Sequence, residues 1–110
     1  MSKKLNILVY PAHNIEAAKA FYNIYLGVGP YVDSPYYVGY RLGDFEIGLD
    51  PNAVTGPIAY IDVEDIKSEI EALTAVGGEV IQDPQDVGNG LLIAKIKEVN
   101  GNVVGFRQQS

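Results

Sequence analysis

Two stretches of this chain echo one another, and that repetition narrows its fold more than any single motif does. "NIEAAKAFYNIYLG" and "DIKSEIEALTAVGG" each open on a helix-capping residue, run through an apolar stripe at helical spacing and end on glycine. Asn14 answers to Asp65, Ile15 to Ile66 and Gly27 to Gly78, all at an offset of 51. Ile15, Ala18, Tyr22 and Tyr25 form the stripe of the first helix, and Ile66, Ile70, Leu73 and Val76 that of the second. Both stripes are expected to be core.

An apolar strand precedes each helix, "LNILVYP" and "PIAYIDV", with Ile7 matching Ile58 at the same offset of 51. More strands follow. After the first helix come a short one near Pro30 to Val32, then "PYYVGYRL" and "FEIGL" joined by the hairpin turn Gly43-Asp44. After the second come "EVIQ", "LLIAKI" and "NVVGF", the last two joined through Asn100-Gly101. Gly48 answers to Gly105, the offset lengthened by the loop "DPQDVGNG". The pattern is α+β: two tandem βαβββ units, about 1–54 and 55–110, within one domain of 110 residues. A ferredoxin-like βαββαβ sandwich has too few strands for these apolar segments.

Composition excludes several function classes. The net charge is −6, and the 8 basic residues are scattered, so no basic face exists to hold a phosphate backbone. No apolar run approaches the roughly 18 residues of a membrane span, and "MSKKLNILVYP" lacks the apolar core of a secretory signal. With no cysteine there is neither disulfide nor thiol chemistry, and a cytoplasmic location is expected.

The segments "NIEAAKAFYNIYLG", "IDVEDIKSEIEALTAVGGEV" and "EVNGNVVGFRQ" resemble, in order and spacing, the vicinal oxygen chelate superfamily. That superfamily includes glyoxalases, bleomycin-resistance proteins and extradiol dioxygenases. "EVNGN" departs from the superfamily's usual Asp-Pro-Asp-Gly-Asn type of turn, but the Gly-Asn pair is kept. The resemblance implies a curled, cup-shaped mixed sheet with the helices on the outside. It also implies metal ligands, normally His or acids, on the first, fourth, fifth and eighth strands. Carried over by motif, those positions are Ile7, Gly48, Ile58 and Gly105. None has a donor side chain, so neither a metal nor another cofactor is expected. His13, the one histidine, lies beside the first helix cap and reads as a capping or solvated residue.

Strand alternation sorts the remaining residues. With Ile7, Gly48, Ile58 and Gly105 facing the cup, Leu5, Val9, Glu46, Asp50, Tyr60, Asp62, Val103 and Arg107 share that face. Leu8, Phe45, Ile47, Leu49, Ala59, Ile61, Val63, Val104 and Phe106 then pack under the helices. Tyr31, Tyr36, Tyr40 and Tyr60 are assigned to strands or loops of the cup wall, and Tyr37 to the helix side. The ligand-binding cup therefore reads as Ile7, Val9, Tyr36, Tyr40, Glu46, Gly48, Asp50, Ile58, Tyr60, Asp62, Gly105 and Arg107.

The expected function is binding of a small planar or cationic organic compound, an antibiotic among the candidates, as in the bleomycin-resistance branch. A homodimer is expected, in line with relatives of this length. Two alternatives stand beside that reading. One is a metal-independent lyase or isomerase using Glu46 or Asp62 as acid or base, with Arg107 or Tyr60 steadying an oxyanion. The other is a non-catalytic interaction or regulatory subunit whose tyrosines serve an interface.

Overall fold

The computed structural model describes residues 3–109. The chain forms two compact units, Asn6–Ile58 and, among the described residues, 59–109 with 3–5. Each unit is βαβββ, as the repeat requires. Among the described residues no helix is long and apolar enough to cross a membrane.

In the first unit β1 (Lys4–Pro11) leads to α1 (Ile15–Leu26), then β2 (Val32–Asp33), β3 (Val38–Leu42) and β4 (Phe45–Asp50). The strands lie in the order β2-β3-β4-β1, with β1 parallel to β4 and the other pairs antiparallel. The Asn14 side chain accepts the Ala17 N–H at 3.0 Å, a cap worth about 1 kcal/mol. At the other end Gly27 takes a left-handed conformation, φ 74°, and its N–H closes on Asn23 O. The core beneath α1 is Ala12, Val38, Tyr40, Ile47 and Leu49, with Leu8, Ile15, Ala18, Tyr22 and Phe45 packed around it. Side chains as fully enclosed as Val38 and Leu49 each contribute about 1.5–3 kcal/mol through burial.

In the second unit β5 (Ile58–Asp62) leads to α2 (Ile66–Thr74), then β6 (Glu79–Asp86), β7 (Leu91–Lys97) and β8 (Val103–Gln109). Their order, β5-β8-β7-β6, repeats the first unit's arrangement, with β5 parallel to β8. Asp65 caps α2 through the Ser68 N–H and hydroxyl, and these bonds hold its carboxyl below the usual carboxylate range. Ile66, Ala94, Ile96 and Phe106 form the core, with Ile61, Val63, Ile70, Leu73 and Val104 around it. The turn into β8 is closed by Gly101 N–H on Glu98 O at 2.9 Å and by Glu98 N–H on Asn102 O at 2.8 Å. The Gly-Asn turn is thus formed, with Gly101 at φ 93°.

Three expectations are corrected. Tyr25 is not core: it is 72% exposed, because α1 is apolar on both sides and Tyr25 lies on the outer one. Val76 is 76% exposed, since α2 ends at Thr74, before the stripe would reach it. Tyr40 and Tyr37 exchange places. Tyr40 pairs across the hairpin with Ile47 and is fully buried beneath α1, where its hydroxyl donates to Asn23 Oδ1 at 2.7 Å. Tyr40 therefore does not line the glycine-bearing face, whereas Tyr37 does.

Candidate functional site

On the first unit's open face, register places Gly39 opposite Gly48 and Arg41 opposite Glu46. The two glycines leave a shallow floor, and the chain's own side chains occupy it. A β-carbon at Gly48 would come within 2.7 Å of the Tyr37 ring, and one at Gly39 within 3.0 Å of Glu46 Oε2. Tyr37 reaches this position from a turn before β3, where Ser34 Oγ accepts the N–H groups of Tyr36 and Tyr37.

The Tyr37 hydroxyl donates to Glu46 Oε2 at 2.5 Å, and the Tyr31 hydroxyl donates to Glu46 Oε1. Burial, and then the bond to Glu46, holds the Tyr31 hydroxyl above its ordinary pKa. The Arg41 guanidinium carbon sits 4.5 Å from the Tyr31 ring centroid, a cation–π contact. Glu46 thus spends part of its accepting capacity inside its own unit. Val9 sits beside this floor, in register with Gly48. The Asp50 carboxylate accepts the Asn52 N–H at 2.9 Å and so caps the turn after β4. Tyr36 projects from its turn and is 76% exposed.

The second unit is arranged differently. Tyr60 stands directly opposite Gly105, and a β-carbon there would come within 2.5 Å of the Tyr60 ring. The ring lies across the glycine of the neighbouring strand and fills its space. The same unit has a cleft of about 530 Å³ lined by Asp62, Val63, Glu64, Leu91, Arg107 and Gln109. The cleft is open to solvent, and its lining is mixed polar and apolar.

Asp62 and Arg107 are register partners, and Arg107 Nη1 lies 3.6 Å from Asp62 Oδ1. That is an ion-pair distance, longer than a direct hydrogen bond. A second recess on the same unit shares Asp62, Val63 and Glu64 and includes Lys3, whose ammonium pairs with Glu69 at 2.8 Å.

Of the residues assigned to the cup, Asp62 and Arg107 meet in the cleft, while Tyr60 and Gly105 pack on one another and do not line it. Ile7 and Ile58 are buried aliphatic side chains, 7% and 3% exposed. Sequence reasoning missed Glu64, Leu91 and Gln109, and it assigned Val63, which also lines the cleft, to the helix side alone. Leu91 pairs with Gln109 and Ile93 with Arg107, so carrying the alternation two residues past Arg107 would have found Gln109. Tyr31, one of the cup-wall tyrosines read from the sequence, lies in the loop before β2 and bonds Glu46.

The four positions at which the resemblance implies metal ligands carry no donor side chain. Ile7 and Ile58 have no donor atoms, and the space over Gly48 and Gly105 is taken by the Tyr37 and Tyr60 rings.

Neither a family model nor a curated protein sequence matches this chain. Solved structures do match in fold. A hypothetical protein from Bacillus halodurans C-125 is similar at TM-score 0.77 and 19% identity, over 100% of this chain and 96% of that one. A glyoxalase/bleomycin resistance protein/dioxygenase superfamily member from Vibrio splendidus 12B01 is similar at TM-score 0.73 and 13% identity, over 99% and 100%. Methylmalonyl-CoA epimerase of Streptomyces coelicolor is similar at TM-score 0.70 and 11% identity, over 97% of each chain.

Proposed function

We propose that this chain, whose fold is that of the glyoxalase/bleomycin resistance protein/dioxygenase superfamily, binds a small planar or cationic organic molecule without a metal ion. The observation that carries this reading is the cleft of about 530 Å³ in which Asp62 and Arg107 face each other at 3.6 Å. Asp62 and Glu64 offer carboxylates to a cationic group, and Arg107 and Gln109 offer donors to an acceptor on the same molecule. Leu91 and Val63 supply the apolar wall against which a flat ligand would lie. The acidic balance of the chain, −6, favours approach of a cation.

The test is a calorimetric titration, in excess EDTA, of arylamines and arylguanidines that raise the protein's melting temperature. Binding should survive the chelator and weaken about tenfold or more in Asp62→Asn and Arg107→Ala, each loss corresponding to about 1.4 kcal/mol. One tightly bound divalent ion per purified chain, or binding abolished by EDTA, would contradict the proposal.

A second reading, metal-independent isomerisation, is favoured by the same pair. A carboxylate beside a guanidinium supplies a base for a carbon-bound proton and a partner for the oxyanion that results. It requires turnover in EDTA that is lost in Asp62→Asn.

A further inference from the structure

Two tyrosine rings lie over glycines in this molecule, and they are held in different ways. Tyr60 belongs to β5, is 7% exposed and faces Gly105 across the strand pair, so the ladder fixes it. Tyr37 instead precedes β3, in a turn built around Ser34. The Ser34 oxygen accepts the Tyr36 and Tyr37 N–H groups, and the Tyr37 carbonyl accepts the Ser34 N–H and hydroxyl. The Tyr37 ring is half-buried. Rotation about its own side-chain bonds carries it outward without breaking a rung of the β3–β4 ladder, which begins at Val38 with Leu49.

The place that ring occupies has the parts of a binding slot. Gly39 and Gly48 form its floor, since β-carbons there would come within 3.1 and 2.7 Å of the Tyr37 ring. The Tyr31 ring closes one side, 3.3 Å from the β-carbon position at Gly39. Arg41 backs that wall, with its guanidinium carbon 4.5 Å from the Tyr31 centroid. Glu46 supplies the acceptor and takes the Tyr37 hydroxyl at 2.5 Å. Floor, wall and acceptor all belong to other residues, so they stay in place when the Tyr37 side chain swings away. The occupant itself shows what they fit: a flat ring whose hydroxyl donates to a carboxylate.

We propose that the first unit holds a second small-molecule site, for a neutral phenol, and that Tyr37 is a hinged plug that a phenolic ligand displaces. The contact is autoinhibitory by mass action. A tethered ring competes at an effective concentration on the order of millimolar, so a free phenol enters only when it binds well or is abundant. The Glu46 carboxylate favours the neutral hydroxyl and repels a phenolate. The site is independent of the Asp62–Arg107 cleft, because Tyr37, Gly39, Glu46 and Gly48 belong to the first unit and the residues of the cleft to the second.

4-Methylphenol reproduces the tyrosine side chain atom for atom and is the probe. In calorimetric titration Tyr37→Ala should bind it about tenfold or more tighter than wild type, the opposite of what losing a wall residue does. Tyr37→Phe keeps the packing of the ring but loses its bond to Glu46, and it too should bind more tightly than wild type. Toluene, which lacks the hydroxyl, should bind Tyr37→Ala about tenfold or more weakly than 4-methylphenol. In wild type, 4-methylphenol at millimolar concentration should shift the Gly39 and Gly48 amide resonances, and Asp62→Asn should bind it as wild type does. Tyr37 variants that bind no more tightly than wild type would overturn the inference, as would equal binding of toluene or unmoved glycine resonances. Loss of 4-methylphenol binding in Asp62→Asn would place the compound in the cleft and overturn it as well.

Discussion

Glycine beneath tyrosine is the recurrent device of this molecule at the scale of single residues. Gly105 lies under the Tyr60 ring, and Gly48 under that of Tyr37. Tyr60 is only 7% exposed, so a β-carbon at 105 has no easy way to displace it. Gly105→Ala should therefore destabilise the protein by about 1–3 kcal/mol in urea denaturation. The same substitution in a Tyr60→Ala background should cost far less, giving a coupling that a double-mutant cycle reads directly. Gly48→Ala should cost less than Gly105→Ala, because Tyr37 is only half-buried and can swing outward. The positions of the two glycines were legible from the internal repeat. What lies over them was not, because Tyr37 arrives from a turn organised by Ser34, where alternation gives no guidance.

The element scale shows how far periodicity reaches. The capping residues Asn14 and Asp65 were legible, since each cap is a local hydrogen bond between a short polar side chain and the first turn. The folded-state pKa of Asp65 is depressed. Its contribution is therefore fully present above the unfolded value of about 3.9 and is lost as pH falls through the lower folded value. Asp65→Ala should lower the melting temperature at neutral pH, and the gap from wild type should close as pH falls below about 4.

Tyr40 illustrates information that was present in the sequence but unused. The Gly43-Asp44 turn pairs Leu42 with Phe45, which forces Tyr40 opposite Ile47 and onto the helix side. There its hydroxyl bonds Asn23, and Tyr40→Phe should cost about 1 kcal/mol in the same denaturation measurement. For α1 the pattern was ambiguous in itself, because apolar residues take up more of the helix than one face and leave only Glu16, Lys19 and Asn23 to mark a polar side.

For the whole molecule, the repeat specified two βαβββ units, and both are present with the same strand order. The cleft was only half legible. Asp62 and Arg107 follow from strand alternation, but Leu91 and Glu64 enter through strand ends and loops, which a residue pattern does not position. The first unit's glycine floor is covered from within by Tyr31, Tyr37 and Glu46.

The central claim is that Asp62 and Arg107 bind a small planar or cationic molecule without a metal, and a single measurement bears on it most directly. Wild type and Arg107→Ala are melted side by side in EDTA against a panel of arylamines and arylguanidines. At least one compound should raise the wild-type melting temperature by several degrees and leave that of Arg107→Ala at its baseline. A panel that moves neither protein, or moves both equally, would contradict the account.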